Sequence, residues 1–128
     1  MTFKDRSFCG TLGEPDEGRR VFLAGWVDAL RDHGEVIFIH LRDRSGIVQV
    51  VFSPETADQE VCRKAGLLRS EFCVRVSGRL VRRAQGTENS GIPTGNVEVM
   101  AADLEILGRA GALPFQISEK SMVAGLAG

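Results

Sequence analysis

The sequence predicts an all-β fold, a small five-stranded Greek-key barrel with one helix between the third and fourth strands. Three observations predict it. Short stretches rich in Val, Ile and Phe recur along the chain, several with apolar residues at every second position. Clusters of Gly, Pro, Asn, Asp and Ser separate them, which is turn chemistry. Only one stretch changes to the three- and four-residue spacing of an amphipathic helix, whereas a ferredoxin-like sandwich would need two. With 128 residues the chain suits one domain, and a single core of that size can be stable without disulfides or metal.

Each element can be justified in order. The first eighteen residues carry Gly10, Gly13, Pro15 and Gly18 and read as irregular, with one helical turn near Phe8 to Leu12. VFLAGWVDALRDH, Val21 to His33, is the first strand, and Gly25 within it suggests a bulge or a sharp coil there. Gly34 turns the chain into the second strand, Val36 to Arg42. Asp43-Arg44-Ser45-Gly46 is a tight turn in which Gly46 can take positive φ, and Ile47 to Phe52 is the third strand.

Ser53-Pro54 looks like a cap followed by proline, opening a helix over Glu55 to Leu68 in which Val61, Ala65 and Leu68 share a face. Phe72 to Arg82 alternates as a fourth strand. Ala84 to Gly95 is a long polar loop, and Val97 to Leu107 is the fifth strand. This order of short strands, with a helix to plug one end, suits the OB type of barrel.

Composition removes several function classes. Apolar residues at 43% and charged residues at 26% are ordinary for a folded, water-exposed chain. No apolar stretch approaches the length of a membrane span, and MTFKDRSFCG has no signal-peptide core, so a reducing cytoplasm is the expected setting. Cys9, Cys62 and Cys73 match no zinc or disulfide spacing and read as small buried hydrophobes. His33 and His40 lack a carboxylate cluster and read as surface residues, not metal ligands. No glycine loop precedes a lysine, and no Ser, His and Asp set forms a motif, so no catalytic residue, metal or cofactor is expected in this chain. The net charge of −1 argues against a non-specific nucleic-acid coat and leaves room for a local basic face.

Two residues break the pattern. Ile37, Ile39 and Leu41 should fill the barrel, which puts Phe38 outside with His40 and Arg42. Val48, Val50 and Phe52 share one face of the third strand, leaving Gln49 on the other. With a tight turn between the strands, Phe38 and Gln49 fall on one outward surface. A ring there is a stacking platform for an unpaired base, and an amide can choose among base edges. Arg31 and Arg42 are near enough to engage phosphates. Three readings stay open from the residues alone: sequence-specific recognition of an unpaired loop, a general single-strand-binding module, and a structural or interaction barrel that binds no nucleic acid.

FCGTL (Phe8 to Leu12), LAGWVDALRDHGEVIFIHLRDRSGIVQVVF (Leu23 to Phe52), EFCVRVSGRLVRR (Glu71 to Arg83) and PTGNVEVMAADLEILGRAGALPF (Pro93 to Phe115) together resemble the N-terminal anticodon-binding domain of bacterial-type aspartyl-tRNA synthetase, a class II enzyme. The resemblance implies that residues 1–110 are the anticodon-binding barrel and 111–128 a hinge toward a catalytic domain that cannot fit after Phe115. It implies a parent enzyme, cytoplasmic and homodimeric, that uses ATP and Mg2+ to attach aspartate to tRNA. This chain, monomeric by itself, would grip the anticodon loop and do no chemistry alone.

Residue by residue, Phe38 matches the aromatic that stacks on the central uridine and Gln49 the amide that hydrogen-bonds it. Arg31 matches a basic contact to the third base, Arg83 and Asn89 match contacts from the loop before the fifth strand, and Glu98 matches the carboxylate facing the wobble guanine. Where the family often carries two more arginines before Arg31, this chain has Ala29 and Leu30. His33 and Gly86 resemble the relaxed members of the family, which implies acceptance of asparagine tRNA as well as aspartate tRNA.

Overall fold

The computed structural model describes residues 8–84, 86–87, 89, 91–92 and 94–108. The hinge expected over 111–128 lies outside them. Two 3-10 turns, Cys9–Thr11 and Glu14–Asp16, lead into β1 (Arg20–His33), β2 (Val36–Asp43), β3 (Gly46–Phe52), α1 (Gln59–Ala65), β4 (Cys73–Arg82) and β5 (Val97–Gly108). The strands close into a barrel in the order β1-β2-β3-β5-β4. All pairings are antiparallel except β3 with β5. The element order and the closed five-stranded barrel agree with the expectation from the sequence.

Strand alternation builds the interior. Ile37, Ile39 and Leu41 of β2 and Val48, Val50 and Phe52 of β3 point inward with Leu23, Val27, Val74, Val76, Leu80, Val97, Val99 and Leu104. Each fully buried side chain of this size contributes about 1.5–3 kcal/mol. Ala57, Val61, Ala65 and Leu68 join the same core, so α1 and its flanks seal one end of the barrel.

Three details differ from the sequence reading. The bulge in β1 lies between Val27 and Ala29. Gly25 serves a different purpose: a Cβ there would sit 2.2 Å from the Arg42 carbonyl oxygen, so only glycine lets β2 approach so closely. The helix is shorter than Glu55 to Leu68 because Ser53 closes a separate turn, its carbonyl accepting from the amides of Thr56 and Ala57. The N-cap is Asp58, in an extended conformation, whose carboxylate accepts from the Val61 amide at 2.9 Å. Of the three cysteines, Cys9 and Cys73 are buried and Cys62 is half-buried.

One buried carboxylate ties the barrel to its N-terminal segment. Asp43 is 4% exposed. Its Oδ2 accepts from the Cys9 amide at 2.8 Å, and its Oδ1 accepts from the Ser45 amide at 2.8 Å and the Ser45 hydroxyl at 2.5 Å. The β2–β3 turn and the segment above it are thus clamped by one side chain. Asp43→Ala removes the acceptor of three hydrogen bonds, from the Cys9 amide and from the Ser45 amide and hydroxyl, and should cost about 2–3 kcal/mol in urea unfolding, with Asp43→Asn costing less because one acceptor survives.

Candidate nucleic-acid interface

The register assembles a patch on the outer wall. Arg31 of β1 pairs with Phe38 of β2, which pairs with Val51 of β3. In the next row Ala29 pairs with His40, His40 with Gln49, Gln49 with Glu98, and Glu98 with Val81. Paired residues point to the same side of a sheet, so Arg31, Phe38, His40, Gln49 and Glu98 stand on one face. They come from four strands and span 68 positions, Arg31 to Glu98 counted inclusively.

Phe38 is half-buried, and the His33 ring meets it at 5.4 Å between centroids and 88° between planes. A perpendicular, edge-to-face neighbour of this kind is a favourable aromatic contact for the ring. Gln49 is on the wall expected for it, but it is covered there, only 8% exposed. Its Nε2 donates to Glu98 Oε1 at 2.7 Å. A carboxylate can only accept, so this bond decides which end of the amide faces which way: nitrogen to Glu98, oxygen away from it.

Glu98 Oε1 also lies 3.9 Å from Arg83 Nε, with the two side chains only 19% and 11% exposed. Among the described residues, Arg83 Nε and Nη1 have no hydrogen-bond partner. A buried guanidinium with two unused donors is expensive to hold.

The other sequence-predicted residues divide. Arg31 is exposed and has no ion pair among the described residues. Arg42, expected near phosphate, is paired with Asp28, the extra residue of the bulge, at 3.0 Å through Nε and 3.5 Å through Nη2, and its side chain stays 41% exposed. Gly86 is exposed at φ +90°, a conformation that favours glycine. Asn89 shapes its loop: its Oδ1 accepts from the Gly91 amide at 2.8 Å and its backbone amide donates to the Gly95 carbonyl at 3.0 Å. Gly86 and Asn89 thus belong to the loop beyond Arg83, outside the strand patch.

His40 is what the sequence reading undervalued. It is half-buried at the centre of the patch and directly across from Gln49. Burial, then the nearby Arg83 guanidinium, lower its pKa from the ordinary value of 6.5; Asp28 opposes and Arg31 adds to the lowering. The signal was present, since His40 alternates with Phe38. What the sequence did not carry was that Arg83, 43 positions later by subtraction, returns to the same spot.

A closed five-stranded barrel with a braced aromatic, arginines and an oriented amide–carboxylate pair across its β1–β2–β3–β5 wall is the build of an oligonucleotide-binding domain. The chain belongs to the OB-fold nucleic acid binding domain family of anticodon type, whose model matches residues 21–107. It is 57% identical over 125 residues to the Aspartate--tRNA(Asp/Asn) ligase 1 of Syntrophus aciditrophicus, covering 98% of this chain and 17% of that protein. It is 48% identical over 117 residues to the Aspartate--tRNA(Asp/Asn) ligase of Persephonella marina, covering 91% and 19%. Among solved structures, asparaginyl-tRNA synthetase from Pyrococcus horikoshii matches with a TM-score of 0.70 at 30% identity, over 87% of this chain and 24% of that one. The chain therefore spans about a fifth of the length of the curated relatives it matches.

The lowered pKa of His40 has a consequence for stability. The unfolded chain binds a proton at this site at higher pH than the folded chain does, so the contribution is complete above about pH 6.5 and is lost as pH falls through the folded value. Between about pH 7 and 5.5 the urea midpoint of the wild type should fall more steeply than that of His40→Gln, which has nothing to titrate there. Parallel curves would show that His40 is not held neutral by the fold.

Proposed function

We propose that the chain is the anticodon-recognition module of an aspartate–tRNA ligase and that its partner is the anticodon loop of aspartate tRNA. The carrying observation is the Phe38, Gln49, Glu98 and Arg83 arrangement on one wall. An unstacked uridine laid on Phe38 gains stacking worth about 1–3 kcal/mol. Its N3–H can donate to Gln49 Oε1, the end of the amide that Glu98 leaves free. The second oxygen of Glu98 suits the N1–H and N2–H donors of a neighbouring guanine. Arg31 and the unused donors of Arg83 suit phosphate or base acceptors.

The ligation chemistry belongs to parts of the relatives that the chain does not cover. ATP and Mg2+ would bind there, and this chain would recognise tRNA without charging it. Among the described residues no group of three or more His, Cys, Asp or Glu is placed to hold a metal ion. Among them, too, no helix is long and apolar enough to cross a membrane. The proposed setting is the cytoplasm, with the whole enzyme a homodimer and the separate domain a monomer.

The module is of the relaxed kind, accepting asparagine tRNA as well. His33 supports this because it braces the stacking ring, and Gly86 because it adds no side chain to the loop beyond Arg83. The relatives in Syntrophus aciditrophicus and Persephonella marina carry both amino acids in their names.

A fluorescence titration with an anticodon stem-loop tests the reading. Phe38→Ala and Gln49→Ala should each weaken binding by about 1–3 kcal/mol, and a loop altered at the central base should bind more weakly to the wild type and alike to both variants. Equal binding of all hairpins would indicate a general single-strand module, and no binding a structural barrel. In charging assays the whole ligase carrying this domain should acylate both tRNAs; strong preference for aspartate tRNA would refute the relaxed specificity.

A further inference from the structure

His40 has no part in the contacts proposed above, yet it stands in the middle of them. It lies two residues along β2 from Phe38, directly opposite Gln49 on one side and Ala29 on the other. Ala29 contributes only a methyl group, so nothing long covers that flank of the imidazole. The ring accepts no hydrogen bond and donates none among the described residues. Around it stand Arg31 and Asp28 from β1, Arg42 from its own strand, Gln49 from β3, Arg83 from the end of β4, and Glu98 beyond Gln49 on β5. Asp28 is already committed to Arg42 and Glu98 to Gln49. Among the described residues no carboxylate hydrogen-bonds the imidazole; Asp28 favours the imidazolium from a distance, while burial and two guanidinium groups disfavour it.

We propose that His40 is a further specificity-determining residue of this interface, reading a nucleobase edge through hydrogen bonds of its neutral imidazole. The inference rests on the anticodon-loop reading and adds a reader to it. A neutral imidazole offers one donor and one acceptor, which is the complement a base edge presents. Two arginines already meet the negative charge of the backbone, so a third cation at this place would duplicate them. An uncharged ring between them supplies base contact instead. Because the acceptor is lost on protonation, recognition should weaken in mild acid even though the site becomes more positive.

The test uses the chain with a fluorescent stem-loop bearing the anticodon GUC, and with loops abasic at each anticodon position in turn. His40→Ala should weaken binding of the intact loop about fivefold to tenfold, as expected for one or two lost hydrogen bonds, and should weaken one of the abasic loops no further. His40→Gln keeps a donor and an acceptor and should retain affinity within about threefold. Between about pH 7.5 and 5.5 the wild type should lose affinity while His40→Gln does not.

The inference is overturned if His40→Ala binds within about twofold of the wild type, if its loss is equal on every abasic loop, or if acid strengthens wild-type binding. Phe38→Ala, run alongside, separates the two levels. If it weakens binding while His40→Ala does not, His40 fails and the anticodon reading stands. If the wild type binds the GUC loop no better than a scrambled hairpin, both fall together.

Discussion

The whole interface depends on the short parallel pairing of β3 with β5. Only three residue pairs make it, Gln49 with Glu98, Val50 with Val99 and Val51 with Met100. It closes the barrel, because the other four strand pairs would otherwise leave two open edges. It also sets the chemistry of the wall. The central pair, Val50 and Val99, faces inward and is fully buried, which places Gln49 and Glu98 outward and adjacent. A one-residue slip of either strand would turn its polar residue, Gln49 or Glu98, toward the core and bring one of its valines out. The hydrophobic core thereby enforces the polar geometry, and neither can shift without the other.

The polar groups on that wall form a chain of unequal satisfaction. Gln49 donates to Glu98, Glu98 approaches Arg83, and Arg83 keeps two donors unused. Arg42, one row away, is neutralised by Asp28 through the β1 bulge. Arg31 and Arg83 stand at opposite sides of the row that holds His40 and Gln49, Arg31 without an ion pair among the described residues and Arg83 beside Glu98. A chain with net charge −1 can in this way still carry arginine side chains grouped along one wall.

Legibility differed by element. β2 and β3 were readable because their alternation is strict and a Gly-terminated turn sets their register. The helix is shorter than its sequence pattern because Ser53-Pro54 imitates a helix start, while the actual cap, Asp58, is one polar residue among several. Gly25 suggests a bulge because glycine in a strand serves several geometric ends, and only the approach of the Arg42 carbonyl shows which applies. Gln49 was expected to stand open, and the structure shows it covered and oriented. Covering depends on neighbours from β5 and β4, which sequence periodicity within one strand cannot supply.

By itself the sequence determined the number and order of strands, the inward faces of β2 and β3, and the fact that Phe38 and Gln49 point outward together. These follow from local rules: alternation, turn chemistry and the cost of leaving apolar side chains in water. Tertiary structure alone decided that Glu98 aligns the Gln49 amide, that Asp28 pairs with Arg42, and that burial, then the returning Arg83, lowers the pKa of His40. Those relations join residues from separate strands across a closed barrel. Their physical basis is distance and desolvation, quantities that exist only once the chain has folded.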